Sequence, residues 1–227
     1  FVGGVSGQVM AMAVEMGNTS SHEFGHALGL LHYGGTNPQP LGIMHTPDFG
    51  LTREIWQTGT TKSDESPVIF QDDMAIISNA TNSFGYALDD HGDALGTATI
   101  LSHTNGVFRG SGVIGDLATD RDVFRFVGGL ATLITVDVDD YINDLDVEVR
   151  LFSSAGTLIA TADLGSSFDG FITQTLARGI YYVEVRSDGE PGEAGQYNLT
   201  ITTNPNSPPT LALTAPSITN DSTPQVS

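Results

Sequence analysis

Seven short segments between residues 122 and 203 constrain the fold of this chain more than any other feature. "DVFRFVG", "ATLITVDVDD", "DVEVRLF", "GTLIATAD", "GFITQTL", "GIYYVEVRS" and "QYNLTITT" are rich in β-branched and aromatic residues, and several alternate with period two. In "DVEVRLF", Val147, Val149 and Leu151 fall on one side of a strand, with Asp146, Glu148 and Arg150 on the other. Evenly spaced strands of this length, broken by Gly, Asp and Asn, predict an antiparallel sandwich or jelly roll.

Upstream of them the chain changes character. His22, His26, His32 and His45 all lie in the first 45 residues, whereas 18 of the 27 Asp and Glu residues lie between 85 and 203. This shift predicts two domains, 1–84 and 87–203, meeting near "NSFGYALDDHGD" at 82–93. In the first, "HEFGHALGLL" reads as a helix carrying Phe24, Ala27, Leu28 and Leu31. A turn-rich stretch follows, "HYGGTNPQPLG", with Gly34, Gly35, Pro38 and Pro40. "QDDMAIISNA" reads as a second helix, with Asp72 and Asp73 in its first turn, where carboxylates suit the positive end of the dipole. The fold class expected for the whole is therefore α+β. Five of the ten prolines lie from Asn204 onward, so 204–227 reads as a semi-rigid linker to a further domain.

Charge and composition narrow the function. A net charge of −19 with Lys62 as the sole lysine excludes nucleic acid, because phosphate binding needs clustered cations. No apolar run is long enough for a membrane span. There are no cysteines, so thiol chemistry and disulfides are excluded, which is compatible with bacterial secretion. The chain opens at Phe1 without a basic leader and stops within "DSTPQVS", so an internal piece of a longer polypeptide is expected.

The densest chemistry is "HEFGHALGLLH", residues 22 to 32. His22 and His26 are four apart and stack on one helix face, where both imidazoles can bind one metal ion. Glu23 projects beside them and can act on a zinc-activated water without being a ligand. Gly29 can take positive φ and end the helix, so that His32 turns back and closes a three-histidine set with a fourth position left open. Ser20 to Glu23 also fits a capping box, which would divert Glu23 from a base role. A helix starting earlier, with Asn18 or Thr19 nearer its cap, would leave Glu23 free.

These residues resemble the metzincin clan of zinc metalloendopeptidases, with the extended motif similar to the matrixin and serralysin signature. The resemblance covers about residues 1 to 83 and is most specific across 22 to 44. It implies zinc held by His22, His26 and His32, Glu23 as general base, and a Met-turn at Met44 in "LGIMHT". It implies for the first domain the C-terminal half of a metzincin-like catalytic domain: active-site helix, Met-turn and C-terminal helix. Thr46 stands where astacin-like and serralysin-like members carry a tyrosine able to bind the metal, so no such ligand is expected. His45 reads as a loop histidine. Residues 87–203 resemble the bacterial pre-peptidase C-terminal domain, on "DDHGDALGTAT", "GDLATDRDVFRFV", "DLDVEVRLFSSAGTLIATA" and "LARGIYYVEVRS…YNLTIT". Some relatives bind calcium. Asp89, Asp90, Asp93, Asp120 and Asp122 are the candidate ligands, and the alternative is that these acids solvate loops and blunt strand edges.

The expectation from sequence is thus a secreted, bacterial zinc metalloendopeptidase acting on protein or peptide substrates. Its β-domain would serve for extracellular-matrix or cell-surface attachment. The rival is an extracellular adhesion or binding protein with a vestigial peptidase segment.

Overall fold

The computed structural model describes residues 7–34, 41–45, 54–64, 67–115, 119–138, 144–164, 167–189 and 192–204. Residues 35–40 of the turn-rich stretch, Thr46 and the expected linker from 205 onward lie outside the described residues.

A two-sheet β-sandwich occupies the second half. Its strands are β5 (Thr99–Ile100), β6 (His103–Thr104), β7 (Val107–Ile114), β8 (Asp122–Gly128), β9 (Ala131–Val138), β10 (Val147–Ser153), β11 (Leu158–Ala162), β12 (Gly170–Thr175), β13 (Gly179–Ser187) and β14 (Gly195–Thr203). One sheet has the order β11-β10-β13-β8-β5 and the other β12-β9-β14-β7-β6. All pairings are antiparallel except the edge pair β5 and β8. The alternation read from "DVEVRLF" is realised: Val147, Val149 and Leu151 are fully buried. They face Ile134, Val136, Leu199 and Ile201 of the other sheet across one core. Each such side chain removed from water contributes about 1.5–3 kcal/mol. On the outer face, Glu148 pairs with Arg150 at 2.9 Å and with Arg186 at 2.6 Å.

Strand β7, "VFRGSGVI", was not among the seven segments read from sequence. Gly110 and Gly112 make it resemble a turn, yet both are packing positions. Gly110 lies under Phe124 and Leu101, and a Cβ at Gly112 would collide with the Asp122 carboxylate and the Tyr197 hydroxyl. Glycine here marks close approach between layers.

The first half holds helix α1 (Gly7–Ala27), short strands β1 (Leu41–Gly42), β2 (Glu54–Ile55), β3 (Thr58–Thr60) and β4 (Phe70–Asp72), and helix α2 (Asp73–Ile77). Strands β1 and β2 pair in parallel, β3 and β4 antiparallel. This corrects the α+β expectation. Among the described residues there are two helices against fourteen strands, and the described part of the first 84 residues does not form the helical catalytic half-domain that the metzincin resemblance implied. The physical reason is local. The front of "QDDMAIISNA" is taken by β4, whose Phe70, Gln71 and Asp72 pair with β3. Asp72 then caps α2 by accepting from the Ala75 amide at 2.9 Å, and only five helical residues follow. A small separate core of Leu30, Tyr33, Ile43 and Met44 packs with Trp56, Ile76 and Ile77.

Candidate metal centre

Helix α1 begins at Gly7, well before Ser20, so Glu23 is no capping-box residue. Ser20 instead bonds back to the Met16 carbonyl at 2.7 Å. Glu23 is exposed on α1, beside the buried His22.

The helix ends at Ala27, and Gly29 just beyond it, whose φ is +97°, turns the chain away. The Gly29 amide donates to the His26 carbonyl at 3.0 Å, and the Leu30 amide to the Gly25 carbonyl at 3.0 Å. This pair of bonds is a Schellman motif, which needs the left-handed residue that glycine supplies most readily. The chain reverses there, and His32 returns to the helix.

The three imidazoles meet through their Nε2 atoms. His22 and His26 are separated by 3.1 Å, His26 and His32 by 3.2 Å, and His22 and His32 by 3.3 Å. Four-coordinate zinc about 2.0–2.1 Å from each nitrogen would set neighbouring nitrogens about 3.3–3.4 Å apart. The other ring nitrogens define the tautomers. His22 Nδ1 donates to the Ile43 carbonyl at 2.7 Å, and His26 Nδ1 donates to the Leu30 carbonyl at 2.8 Å. With the proton on Nδ1, each Nε2 presents a lone pair to the cluster, and backbone carbonyls fix ring orientation as second-shell partners do. Facing lone pairs at these distances repel unless a cation lies between them, so the donor set fits zinc. Burial holds the His22 imidazole below its ordinary value; His26 and His32 add to this, against opposing pulls from the Ile43 carbonyl and Glu23. That favours the neutral ring a metal requires.

Met44 sits beneath the helix. It is fully buried in a turn closed by the His45 amide donating to the Gly42 carbonyl at 3.0 Å. A Cβ added to Gly25, between the two helical histidines, would lie 2.5 Å from the Met44 sulfur. Ile43, which accepts from His22, belongs to the same turn. His45 is buried, with its ring 5.3 Å from that of Tyr33, and it is not part of the imidazole triangle.

Sequence reasoning missed the support under His32. Gln71, Asp73 and Tyr33 are all buried. The Tyr33 hydroxyl donates to Asp73 Oδ1 at 2.7 Å, and the Gln57 amide donates to Asp73 Oδ2 at 3.0 Å. Burial pushes the Asp73 carboxyl up to about 6 against the hydrogen bonds it accepts. Burial, then the Asp73 charge, pushes the Tyr33 hydroxyl up. The adjacent pair "DD" was legible only as a helix start; that the second acid points inward depends on β4 packing beside Tyr33.

The five candidate calcium ligands divide into two groups. Asp89, Asp93 and Asp120 bring ligand atoms together, while Asp90 and Asp122 gather with His91. Most serve backbone amides: Asp89 accepts from His91, Asp90 from Val113, Asp93 from Arg121 and Asp120 from Gly115. Asp122 is fully buried against the Tyr197 hydroxyl, and burial pushes its carboxyl up to about 7. A third group, Asp146, Asp188 and Glu193, was not foreseen, because Asp146 lies just before β10 whereas Asp188 and Glu193 lie between β13 and β14.

No family model and no curated protein matches the chain. Solved structures match its sandwich part. PliG of Aeromonas hydrophila, a periplasmic inhibitor of g-type lysozyme, is 16% identical with a TM-score of 0.36, covering 46% of this chain and 94% of its own. The pre-peptidase C-terminal domain of a Bacillus anthracis collagenase is 18% identical with a TM-score of 0.35, covering 46% and 94%. PliG of Salmonella Typhimurium is 20% identical with a TM-score of 0.32, covering 46% and 97%. At these values the likenesses carry no functional argument.

Proposed function

We propose that this protein is a zinc-dependent metalloendopeptidase that hydrolyses peptide bonds outside the cell. The observation that supports it most is the triangle of Nε2 atoms 3.1–3.3 Å apart, two of them with the Nδ1 proton held by a carbonyl. His22, His26 and His32 would hold the ion. Zinc, when bound, would supply Lewis acidity and a water acidic enough to ionise near neutral pH. Glu23, exposed beside His22, takes the proton of the attacking water and returns it to the leaving amine. Gly29 and Met44 keep the histidines in place. The β-sandwich would be an accessory unit for attachment to an extracellular surface. No described helix is long and apolar enough to cross a membrane.

The test is zinc analysis combined with casein hydrolysis, with and without a chelator. One zinc per chain and chelator-sensitive cleavage are expected. Glu23→Gln should keep the zinc and lower turnover by about 10²–10⁴-fold. Folded protein that takes up no stoichiometric zinc overturns the reading. Zinc uptake without hydrolysis favours a binding protein with a vestigial site.

A further inference from the structure

His22 and His26 are placed by helix geometry, but His32 lies beyond the helix and needs another support. It sits between Leu31 and Tyr33, and both neighbours are held by one buried polar assembly. Gln71, only 1% exposed, pairs with the Leu31 backbone at two points. Its Oε1 accepts from the Leu31 amide at 2.8 Å, and its Nε2 donates to the Leu31 carbonyl at 2.9 Å. The same Nε2 donates to Asp73 Oδ1 at 2.9 Å. Asp73 in turn holds the Tyr33 hydroxyl. On the other side, the Lys62 amide donates to the His32 carbonyl at 2.9 Å and the Tyr33 amide to the Met44 carbonyl at 3.0 Å.

A carboxamide is suited to this place because it offers a donor and an acceptor in one plane. Gln71 therefore acts on Leu31 as a paired strand would. An apolar side chain of similar length could fill the space without the cost of burying an amide. What the amide adds is the exact seat of the Leu31 peptide, from which His32 extends.

We infer that Gln71, seated on Asp73, is a positioning residue that sets His32 at the third corner of the zinc site. It touches neither the ion nor the substrate, and the inference rests on the zinc reading above. Metal sites tolerate little displacement, and loss of an outer partner costs about 10–100-fold in affinity. Gln71→Met keeps length and loses both pairing atoms. Gln71→Glu keeps shape and the acceptor but turns the donor toward Leu31 and Asp73 into a second oxygen.

The experiment titrates zinc against a competing chelator and records the visible absorption of the cobalt(II)-loaded protein, for the wild type, both Gln71 variants and His32→Ala. The expected result is zinc binding weakened by about 10–100-fold in both Gln71 variants. Their cobalt spectra should shift toward that of His32→Ala, as the third nitrogen is lost from the coordination shell. A purely structural Gln71 would lower melting temperature and leave the cobalt spectrum of folded protein unchanged, and that outcome overturns the inference. So does wild-type affinity in the variants. If Gln71→Met does not fold, the isosteric Gln71→Glu decides. Wild-type protein that binds no zinc removes the functional reading and this inference with it; wild type that binds zinc beside unaltered variants removes this inference alone.

Discussion

Glu193 shows how far a single acid can be moved from its ordinary behaviour. It is 3% exposed, and its carboxylate accepts from the Ser187 hydroxyl at 2.7 Å. Burial first, then Asp188 and Asp146, pushes its carboxyl up to about 9. Below pH 4.5 both the folded and the unfolded chain carry the proton, so the contribution of Glu193 to stability is fully present there. As pH rises, the unfolded chain ionises first, and the contribution is lost progressively up to about pH 9. Glu193→Gln copies the protonated form. In chelator-containing buffer it should unfold later than wild type at pH 8, by on the order of 3 kcal/mol, with the gap closing at pH 4. Denaturant melts at the two pH values check this; an equal gap at both would show that the carboxyl is not retained as an acid.

At the scale of elements, α1 packs tightly against the Met44 turn. Gly25 has no space for a methyl group: its Cβ would meet the Met44 sulfur at 2.5 Å, and Leu30 and Trp56 at 3.2 Å. Gly25→Ala should therefore destabilise this unit by about 1–3 kcal/mol, the usual cost of overpacking. The double variant with Met44→Ala should lose less than the sum of the two single losses, because the sulfur is the closest neighbour of the added methyl. Thermal melts of the single and double variants measure the coupling, and strict additivity would mean that the two do not touch. The helix end itself was legible, since a glycine three residues before a third histidine signals reversal. Its partner was legible only as a methionine of the right spacing. Strand β4 and the five-residue α2 were not separable in "QDDMAIISNA", because a strand pairing with β3 and a helix start share the same acids. Strand β7 was hidden by glycines whose purpose appears only when Phe124 and Tyr197 lie above them.

At the scale of the whole molecule, the described residues form two cores of unequal size. The sandwich core draws on both five-stranded sheets, while the first half gathers Leu30, Tyr33, Ile43 and Met44 with a few partners. Where the halves meet, the Trp56 carbonyl lies so close to Gly192 that no Cβ fits between them. A small core depends more on a bound ion. Zinc at about 100-fold above its dissociation constant should add about 2.7 kcal/mol to the first unit. Calorimetry should accordingly show two transitions, with a chelator lowering the first and leaving that of the sandwich in place. A single transition that moves as a whole on chelation would show that the halves unfold together.

What the sequence determined by itself is local and periodic. β-branched and aromatic richness marked seven sandwich strands, with period-two alternation in several, because side chains on a strand face opposite sides whatever surrounds them. The spacing of His22, His26, Gly29 and His32 implied convergence, because a helix turn and a left-handed glycine have known geometry. Tertiary structure alone decided which acids gather, that Asp73 points inward and that Gln71 grips Leu31. Those outcomes depend on which loops and strands become neighbours, and contacts between residues forty positions apart leave no periodic trace in the chain.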